Sequence, residues 1–274
     1  MHQNSNPCLL SYNIYKKPKT TQWVTFIHGA GGSSIIWYKQ IKAFHEHYNI
    51  LLIDLRGHGN SKQQPTTDTL SFNEVVEDII NVINYLNIPT SHFVGISLGT
   101  IIIRQLADMH PSRVYSLTMA GAIMRLNVRS QILMRFGMLS KSLIPYMWLY
   151  RFFAFIIMPR KNHKTSRQLF IREAKKLSQQ EFIRWFRLSV QVNPLLRKLR
   201  TAKNAIPMLY LMGSEDAMFL PSIQKLVLQN PSNSCLMIAA NCGHVVNIDN
   251  PDFFNEQCIS FIGSVIKYGT ASLS

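Results

Sequence analysis

The sequence predicts an α/β fold in which a mostly parallel sheet is flanked by helices. The chain has 274 residues, of which 47% are hydrophobic and 16% charged, enough to bury a sizeable core. Short apolar runs typical of buried strands alternate with segments of helical period. This alternation fails between Ala120 and Ile206, where the pattern is helical and basic. We therefore expect a core formed by residues 1–123 and 204–274, interrupted by a helical insertion at residues 124–203.

The first elements follow from apolar runs and their boundaries. Residues 22–27 form a buried strand that ends in a glycine-rich loop, His28-Gly29-Ala30-Gly31-Gly32. Ser33 or Ser34 can cap a helix that extends to about His47. Residues 49–55 form a second strand, which ends in the loop Asp54-Leu55-Arg56-Gly57-His58-Gly59.

The later elements continue the alternation. Ser71 and Glu74 have the spacing of a capping box and open a helix to about Leu86. Asn250 and Pro251 open the last helix as its N-cap and first residue. The remaining elements are strands at about residues 92–96, 114–120, 207–212 and 235–240, and a helix at 98–109.

The net charge of +15 is concentrated in the insertion. Residues 124–203 contain 18 of the 29 Lys and Arg residues and two acids, Glu173 and Glu181, whereas the remainder has 11 basic and 12 acidic residues. The insertion has no nucleic-acid-binding signature, so a nucleic-acid partner is not expected. Its apolar stretch at 143–159 contains Pro145 and Arg151 and is too short to cross a membrane.

The sequence favours a cytoplasmic location. The first residues show no basic region followed by an apolar one, the pattern of a secretory signal. Four cysteines, Cys8, Cys235, Cys242 and Cys258, are few for this length, and we expect reduced thiols.

The most informative motif is Gly95-Ile96-Ser97-Leu98-Gly99, which has the G-x-S-x-G pattern of a nucleophile elbow. A predicted strand precedes it and a predicted helix follows it, the context that the motif requires. A sharp turn there exposes the Ser97 hydroxyl, while the flanking glycines let strand and helix pass closely. Ser97 is therefore the candidate nucleophile.

A serine nucleophile needs a base, and the base needs an orienting acid. His244 is the candidate base, because it follows both Ser97 and an acid in the chain and lies in a loop after the last strand. Asp216 is the candidate acid, in the loop after the preceding strand, with Glu215 as its neighbouring competitor. We interpret Asp249 as an acid at a helix terminus.

Backbone N–H groups are the expected donors to the oxyanion that forms on the substrate. Leu98 would supply one at the start of a helix, and Ala30 would supply the other from the glycine-rich loop. Ser97 would then attack a carbonyl carbon, form an acyl-enzyme and be released by water activated through His244.

Taken together, the segments HGAGG, DLRGHGNS, GISLGT, GSED and CGHVVNIDNP resemble the α/β-hydrolase superfamily, in its lidded esterase/lipase-like branch. The resemblance covers roughly residues 22–122 and 205–265. It implies an eight-stranded, mostly parallel sheet with a helical cap after the sixth strand. The sequence itself contains no pattern that marks a bound cofactor, and Cys242-x-His244 is only a weak indication of a metal site. Many relatives have glycine where this chain has Thr100, which should narrow the space beside the helix start. Serine at position 97 disfavours epoxide and halide chemistry, for which relatives use aspartate.

The predicted function is hydrolysis of a carboxylic ester, with an apolar, lipid-like acyl group as the expected substrate. Two alternatives stay open: transfer of the acyl group to another acceptor by the same triad, and a small-molecule receptor on this fold. The methionines and aromatic residues of the insertion either pack on the core or bind an acyl chain. A further hypothesis is that its basic face contacts an anionic membrane. The sequence does not indicate an oligomeric state.

Overall fold

A computed structural model describes residues 9–18, 20–62, 70–124, 145–188, 191–201, 205–229 and 233–271. Of the predicted insertion, residues 125–144, 189–190 and 202–203 lie outside this described part, as does Cys8. The described strands form one sheet. They are β1 (Tyr12–Tyr15), β2 (Trp23–Ile27), β3 (Asn49–Ile53), β4 (Ser91–Ile96), β5 (Val114–Ala120), β6 (Met208–Gly213) and β7 (Ser234–Ala239).

The sheet order is β1-β3-β2-β4-β5-β6-β7, and every neighbouring pair is parallel except β1 with β3. The fold class is confirmed. The expected count of eight strands is wrong for the described chain, which has seven. The reason is local: between Leu9 and β2 the described chain forms a single strand, β1, which has four residues.

Helices connect the strands and extend from the sheet. The single helix predicted from Ser33 or Ser34 to His47 is instead a 3-10 turn, Ser34–Trp37, followed by a short α-helix. The α-helices of the described chain are α1 (Ile41–His45), α2 (Phe72–Tyr85), α3 (Leu98–Met109), α4 (Tyr146–Ile157), α5 (Lys164–Ala174), α6 (Gln179–Leu188), α7 (Val192–Thr201), α8 (Leu220–Gln229), α9 (Val246–Asp249) and α10 (Pro251–Ala271).

Two apolar layers bury the two faces of the sheet. On one face, Ile79 of α2 and Ile102 of α3 belong to the cluster that includes Phe93 of β4. On the other face, Phe44 of α1 and Phe254 of α10 join Phe26 and other strand residues. Because the inner strands, β2 to β6, are covered on both sides, almost all of their residues are buried, as is typical of parallel strands.

The start of α2 follows the predicted capping box. The Ser71 hydroxyl accepts a hydrogen bond from the Glu74 backbone N–H at 3.2 Å, and the Glu74 carboxylate accepts one from the Ser71 N–H at 2.8 Å. Two orphan donors at the helix start are thus satisfied, which fixes where α2 begins.

Four helices of the described residues, α4 to α7, lie between β5 and β6 in the chain, and we call them the inserted helices. Helix α7 is tied to the core through Arg104 of α3, which donates to the Leu199 carbonyl at 2.7 Å. Within the described part of the chain, no helix combines the length and the apolar character needed to cross a membrane.

Candidate active site

Ser97 lies at the sharp turn between β4 and α3. Its backbone has φ 54° and ψ −121°, a strained conformation for a residue with a side chain. Two flanking glycines make the turn possible. A Cβ on Gly95 would lie 2.8 Å from the Gly99 carbonyl carbon, and one on Gly99 would lie 2.4 Å from the Ile27 oxygen. The chain therefore has the geometry of a nucleophile elbow.

The three side chains that the sequence singled out meet at the carboxyl edge of the sheet. The Ser97 Oγ lies 2.9 Å from His244 Nε2, and His244 Nδ1 lies 2.7 Å from Asp216 Oδ2. Since a carboxylate only accepts, Nδ1 carries the proton of neutral His244 and Nε2 accepts from the serine hydroxyl. This is the arrangement in which an imidazole can remove the serine proton.

Short contacts fix the two loops that carry Asp216 and His244. The second oxygen of Asp216 accepts a hydrogen bond from the Phe219 N–H at 3.1 Å, and the Phe219 ring lies 5.2 Å from the imidazole. Asp249, interpreted as a helix-terminal acid, accepts from the Gly243 N–H at 2.9 Å. It therefore also anchors the loop just before His244.

Glu215, the competing acid, faces away from the imidazole and toward the inserted helices. Its carboxylate accepts hydrogen bonds from Arg160 at 2.6 Å, Asn162 at 2.8 Å and His163 at 2.8 Å. The bond from Asn162, together with those from His163 and the charge of Arg160, lowers the pKa of Glu215. The two consecutive carboxylates thus have different partners: Asp216 binds the base, and Glu215 binds the segment between α4 and α5.

Ala30 and Leu98, the predicted oxyanion donors, both line the cavity that contains Ser97. Leu98 begins α3, where the first N–H groups have no acceptor within the helix. The loop around Ala30 is held from two sides. The Tyr150 hydroxyl of α4 donates to the Ala30 carbonyl at 2.8 Å, and the Gly31 N–H donates to His58 Nε2 at 2.9 Å.

Two buried histidines hold this loop, a role that the sequence did not reveal. His58 also donates from Nδ1 to the Arg56 carbonyl at 3.0 Å. His28 accepts from the Leu55 N–H at 3.0 Å and donates to the Gly29 carbonyl at 2.8 Å. Burial lowers the pKa of both histidines, that of His58 to about 3. Both side chains are therefore neutral and hold the loop through hydrogen bonds. The sequence signal that could have indicated this role is that the two histidines occur in the HGAGG and DLRGHGNS segments.

Further contacts join the inserted helices to the core loops. The Ser33 hydroxyl donates to the buried carboxylate of Glu173 at 2.7 Å, and the Trp185 indole donates to the Arg56 carbonyl at 3.1 Å. The loop after β2 is therefore tied to helix α5, as it is to α4 through Tyr150.

Thr100, noted as a departure from relatives, donates from its hydroxyl to the Ser97 carbonyl at 2.6 Å.

The cavity beside Ser97 has a volume of about 190 Å³ and is apolar. Its described walls contain no lysine, arginine, aspartate or glutamate. Most of its aromatic lining comes from the inserted helices. These aromatic residues are Tyr150, Phe153, Phe170, Phe182, Trp185 and Phe186.

The thiol that lies two residues before His244 in the sequence is not ionised at neutral pH. Burial raises the pKa of the nearby Cys242 thiol to about 11, so it is protonated at neutral pH. Among the described residues, no group of three or more His, Cys, Asp or Glu side chains is arranged to hold a metal ion.

Comparison with known proteins agrees with this geometry. Residues 22–155 match a family model described as the alpha/beta hydrolase fold. The chain is 29% identical over 105 residues to 3-oxoadipate enol-lactonase 1 of Acinetobacter baylyi, an alignment that covers 38% of each protein. The chain thus spans little more than a third of the length of that curated relative.

Solved structures match over nearly the whole chain. A carboxylesterase study of Nitrososphaera gargenis provides one, with a TM-score of 0.78 and 19% identity, covering 97% of this chain and 99% of that one. The enol-lactonase from Burkholderia xenovorans LB400 is another, with a TM-score of 0.76 and 17% identity, covering 93% and 96%. The sheet, the elbow and these matches together show that the chain has the α/β-hydrolase fold.

Proposed function

We propose that the chain is a serine hydrolase that cleaves carboxylic esters through an acyl-enzyme on Ser97. The observation that carries this proposal is the hydrogen-bonded series from Ser97 through His244 to Asp216, with distances of 2.9 and 2.7 Å, at the wall of an apolar cavity. The relatives named as a lactonase and carboxylesterases support a hydrolase, since a lactone is a cyclic ester.

The proposed reaction begins when the Ser97 oxygen attacks the ester carbonyl carbon and its proton passes to His244 Nε2. The negative charge that forms on the carbonyl oxygen is stabilised by the N–H groups of Leu98 and Ala30. The carbon–oxygen bond to the alcohol then breaks, and His244 protonates the leaving alcohol. A water molecule gives a proton to His244 and attacks the acyl carbon. The bond from the acyl carbon to the Ser97 oxygen then breaks, His244 returns the proton to that oxygen, and the acid is released. Asp216 stabilises the imidazolium in both halves.

We further propose that the substrate has a neutral, apolar acyl group. The cavity beside Ser97 has aromatic and aliphatic walls, so an alkyl or aryl chain would be buried there favourably. A substrate with a carboxylate on its acyl side would meet no described cation in the cavity and would lose its hydration. In this proposal the inserted helices act as the lid over the acyl group.

The proposal is tested by the initial rates of p-nitrophenyl esters with two to sixteen acyl carbons, with Ser97→Ala as the blank. We expect kcat to fall by several orders of magnitude in this variant. Esters with a terminal carboxylate should react more slowly than neutral esters of equal length. A Ser97→Ala variant with near-normal rates would rule out the assignment.

The apolar walls also favour one alternative, transfer of the acyl group to an alcohol or thiol, because a dry site disfavours water. Product analysis with and without an added acceptor separates transfer from hydrolysis. A small-molecule receptor would give a burst of one product equivalent followed by almost no turnover.

For location, we propose the cytoplasm. The support is chemical: the three described cysteines, Cys235, Cys242 and Cys258, are free thiols, and burial raises the pKa of each.

A further inference from the structure

Helix α4 presents large apolar side chains on its outer face. Trp148, Phe152, Phe155 and Ile156 are 68%, 48%, 54% and 36% exposed. Their spacings of four, seven and eight residues place them on one side of the helix. Tyr150, on the opposite side, is buried against the core. Helix α4 is therefore apolar on both sides, and the described residues cover only the inner one.

Cations lie within and beside this outer face. Arg151 is exposed and falls three residues after Trp148 and four before Phe155, so it lies on the same side of α4. The Arg167 guanidinium of α5 lies 4.3 Å from the centre of the Phe155 ring. Positive charge and apolar surface thus form one continuous patch, which we call the α4 patch.

The segment that carries the α4 patch has no exposed acid among its described residues. Residues 145–188 contain ten Lys and Arg residues and two acids. Both acids are buried: Glu173 is 1% exposed and contacts Lys176, and Glu181 is 8% exposed and contacts Arg184. Burial of both carboxylates leaves the exposed charge of this segment entirely positive.

We infer that the α4 patch docks on a lipid bilayer that contains anionic lipid. Aromatic rings and an isoleucine on one helix face can enter the boundary between headgroups and acyl chains, while nearby cations attract the anionic headgroups. A nucleic-acid duplex could bind the same cations, but it offers no apolar environment in which the exposed side chains of this face would be buried. This inference concerns binding and is independent of the proposed ester hydrolysis.

Trp148 provides a direct reporter of this contact. The chain has four tryptophans, and Trp23, Trp37 and Trp185 are 9%, 0% and 5% exposed, so Trp148 is the exposed one. Vesicles of phosphatidylcholine and phosphatidylglycerol should shift its emission to shorter wavelength and shield it from acrylamide. Vesicles of phosphatidylcholine alone should have a much smaller effect, and Trp148→Phe should abolish the shift.

Vesicle co-sedimentation tests the patch by substitution. The double variant Phe152→Ser with Phe155→Ser should weaken binding to anionic vesicles about tenfold or more, because two half-exposed rings lose their apolar contact. Neither residue lines the cavity, so hydrolysis of a short soluble ester should not change. Leu228→Ser removes an 82% exposed side chain from α8, outside the inserted helices, and should leave binding unchanged.

Three kinds of result would overturn the inference. The first is equal binding to neutral and anionic vesicles, or unchanged binding by the double variant. The second is a Trp148 already shielded from acrylamide without vesicles, which would mean that another part of the chain covers the patch. The third is tighter binding to duplex DNA than to anionic vesicles at the same salt concentration, which would assign the charge to nucleic acid.

Discussion

The hydrogen bond from Tyr150 to the Ala30 carbonyl gives a sharp test of how the inserted helices act on the site. Tyr150→Phe removes one hydroxyl and keeps the ring, which stacks on Phe170 with 4.6 Å between ring centres. The cavity wall should therefore be preserved. What changes is the support of the peptide segment that carries the Ala30 N–H.

The expected magnitude follows from the lost bond. A neutral hydrogen bond contributes about 1 kcal/mol, and an acceptor left without a partner can raise the cost to about 3 kcal/mol. Complete removal of an oxyanion donor lowers kcat by about 100- to 1000-fold. In Tyr150→Phe the Ala30 donor remains but is less firmly placed, so we expect kcat to fall about tenfold, or about 1.4 kcal/mol. KM should stay nearly constant.

Tyr146→Phe is the matched control. Tyr146 lies one turn earlier on α4 and donates to the Leu177 carbonyl, also at 2.8 Å, within the inserted helices. Urea unfolding should show a similar loss in the free energy of unfolding for both variants. Only Tyr150→Phe should lower kcat and weaken the binding of a trifluoromethyl ketone inhibitor. Equal kcat values for the two variants would refute a role of Tyr150 in positioning the loop.

The other predictions concern the acid, a buried histidine and the elbow. Asp216→Asn should lower kcat by about 10⁴ through the wrong imidazole tautomer, whereas Glu215→Gln should lower mainly stability at neutral pH; equal kcat losses would contradict the division of roles. Because burial lowers the pKa of His58 to about 3, the unfolded chain binds a proton below pH ~6.5 that the folded chain does not, and stability falls as pH falls. His58→Gln keeps an acceptor for the loop and should reduce this slope, measured by urea unfolding, by up to about 1.4 kcal/mol per pH unit; an unchanged slope would show that His58 titrates normally. Gly99→Ala places a Cβ 2.4 Å from a backbone oxygen and should cost more than about 2 kcal/mol, whereas Gly263→Ala, with open space around it, should stabilise α10 by up to about 1 kcal/mol; similar thermal shifts for both would exclude a steric requirement at the elbow.

Local patterns predicted the parts of this molecule that depend on local chemistry. The elbow glycines, the α2 capping box and the loops that carry Asp216 and His244 are each specified within a few residues, and the structure places the predicted triad side chains within hydrogen-bond distance. The expected count of eight strands came from the resemblance, whereas the described residues contain seven, because those before β2 form a single short strand.

Contacts between distant segments were not predictable from such patterns. Tyr150 and Ala30 are 120 residues apart, and Ser33 and Glu173 are 140 apart. Nothing near either residue in sequence indicates its partner, because the pairing depends on how the inserted helices sit on the sheet. The different roles of Glu215 and Asp216 are a similar case. Because the two residues are adjacent in sequence, both were candidate acids, and the structure separates them by their partners: His163 binds Glu215, whereas His244 binds Asp216.

The turn containing Glu215 and Asp216 limits which segments of this protein can be exchanged for those of a relative. A chimera that exchanged the inserted helices for those of a relative would remove Arg160, Asn162 and His163 together and leave the Glu215 carboxylate without its donors. The adjacent peptide would then also lose its fixed position, one residue from the acid that orients His244. Exchange of specificity between relatives would therefore require that this turn be transplanted along with the helices that it binds.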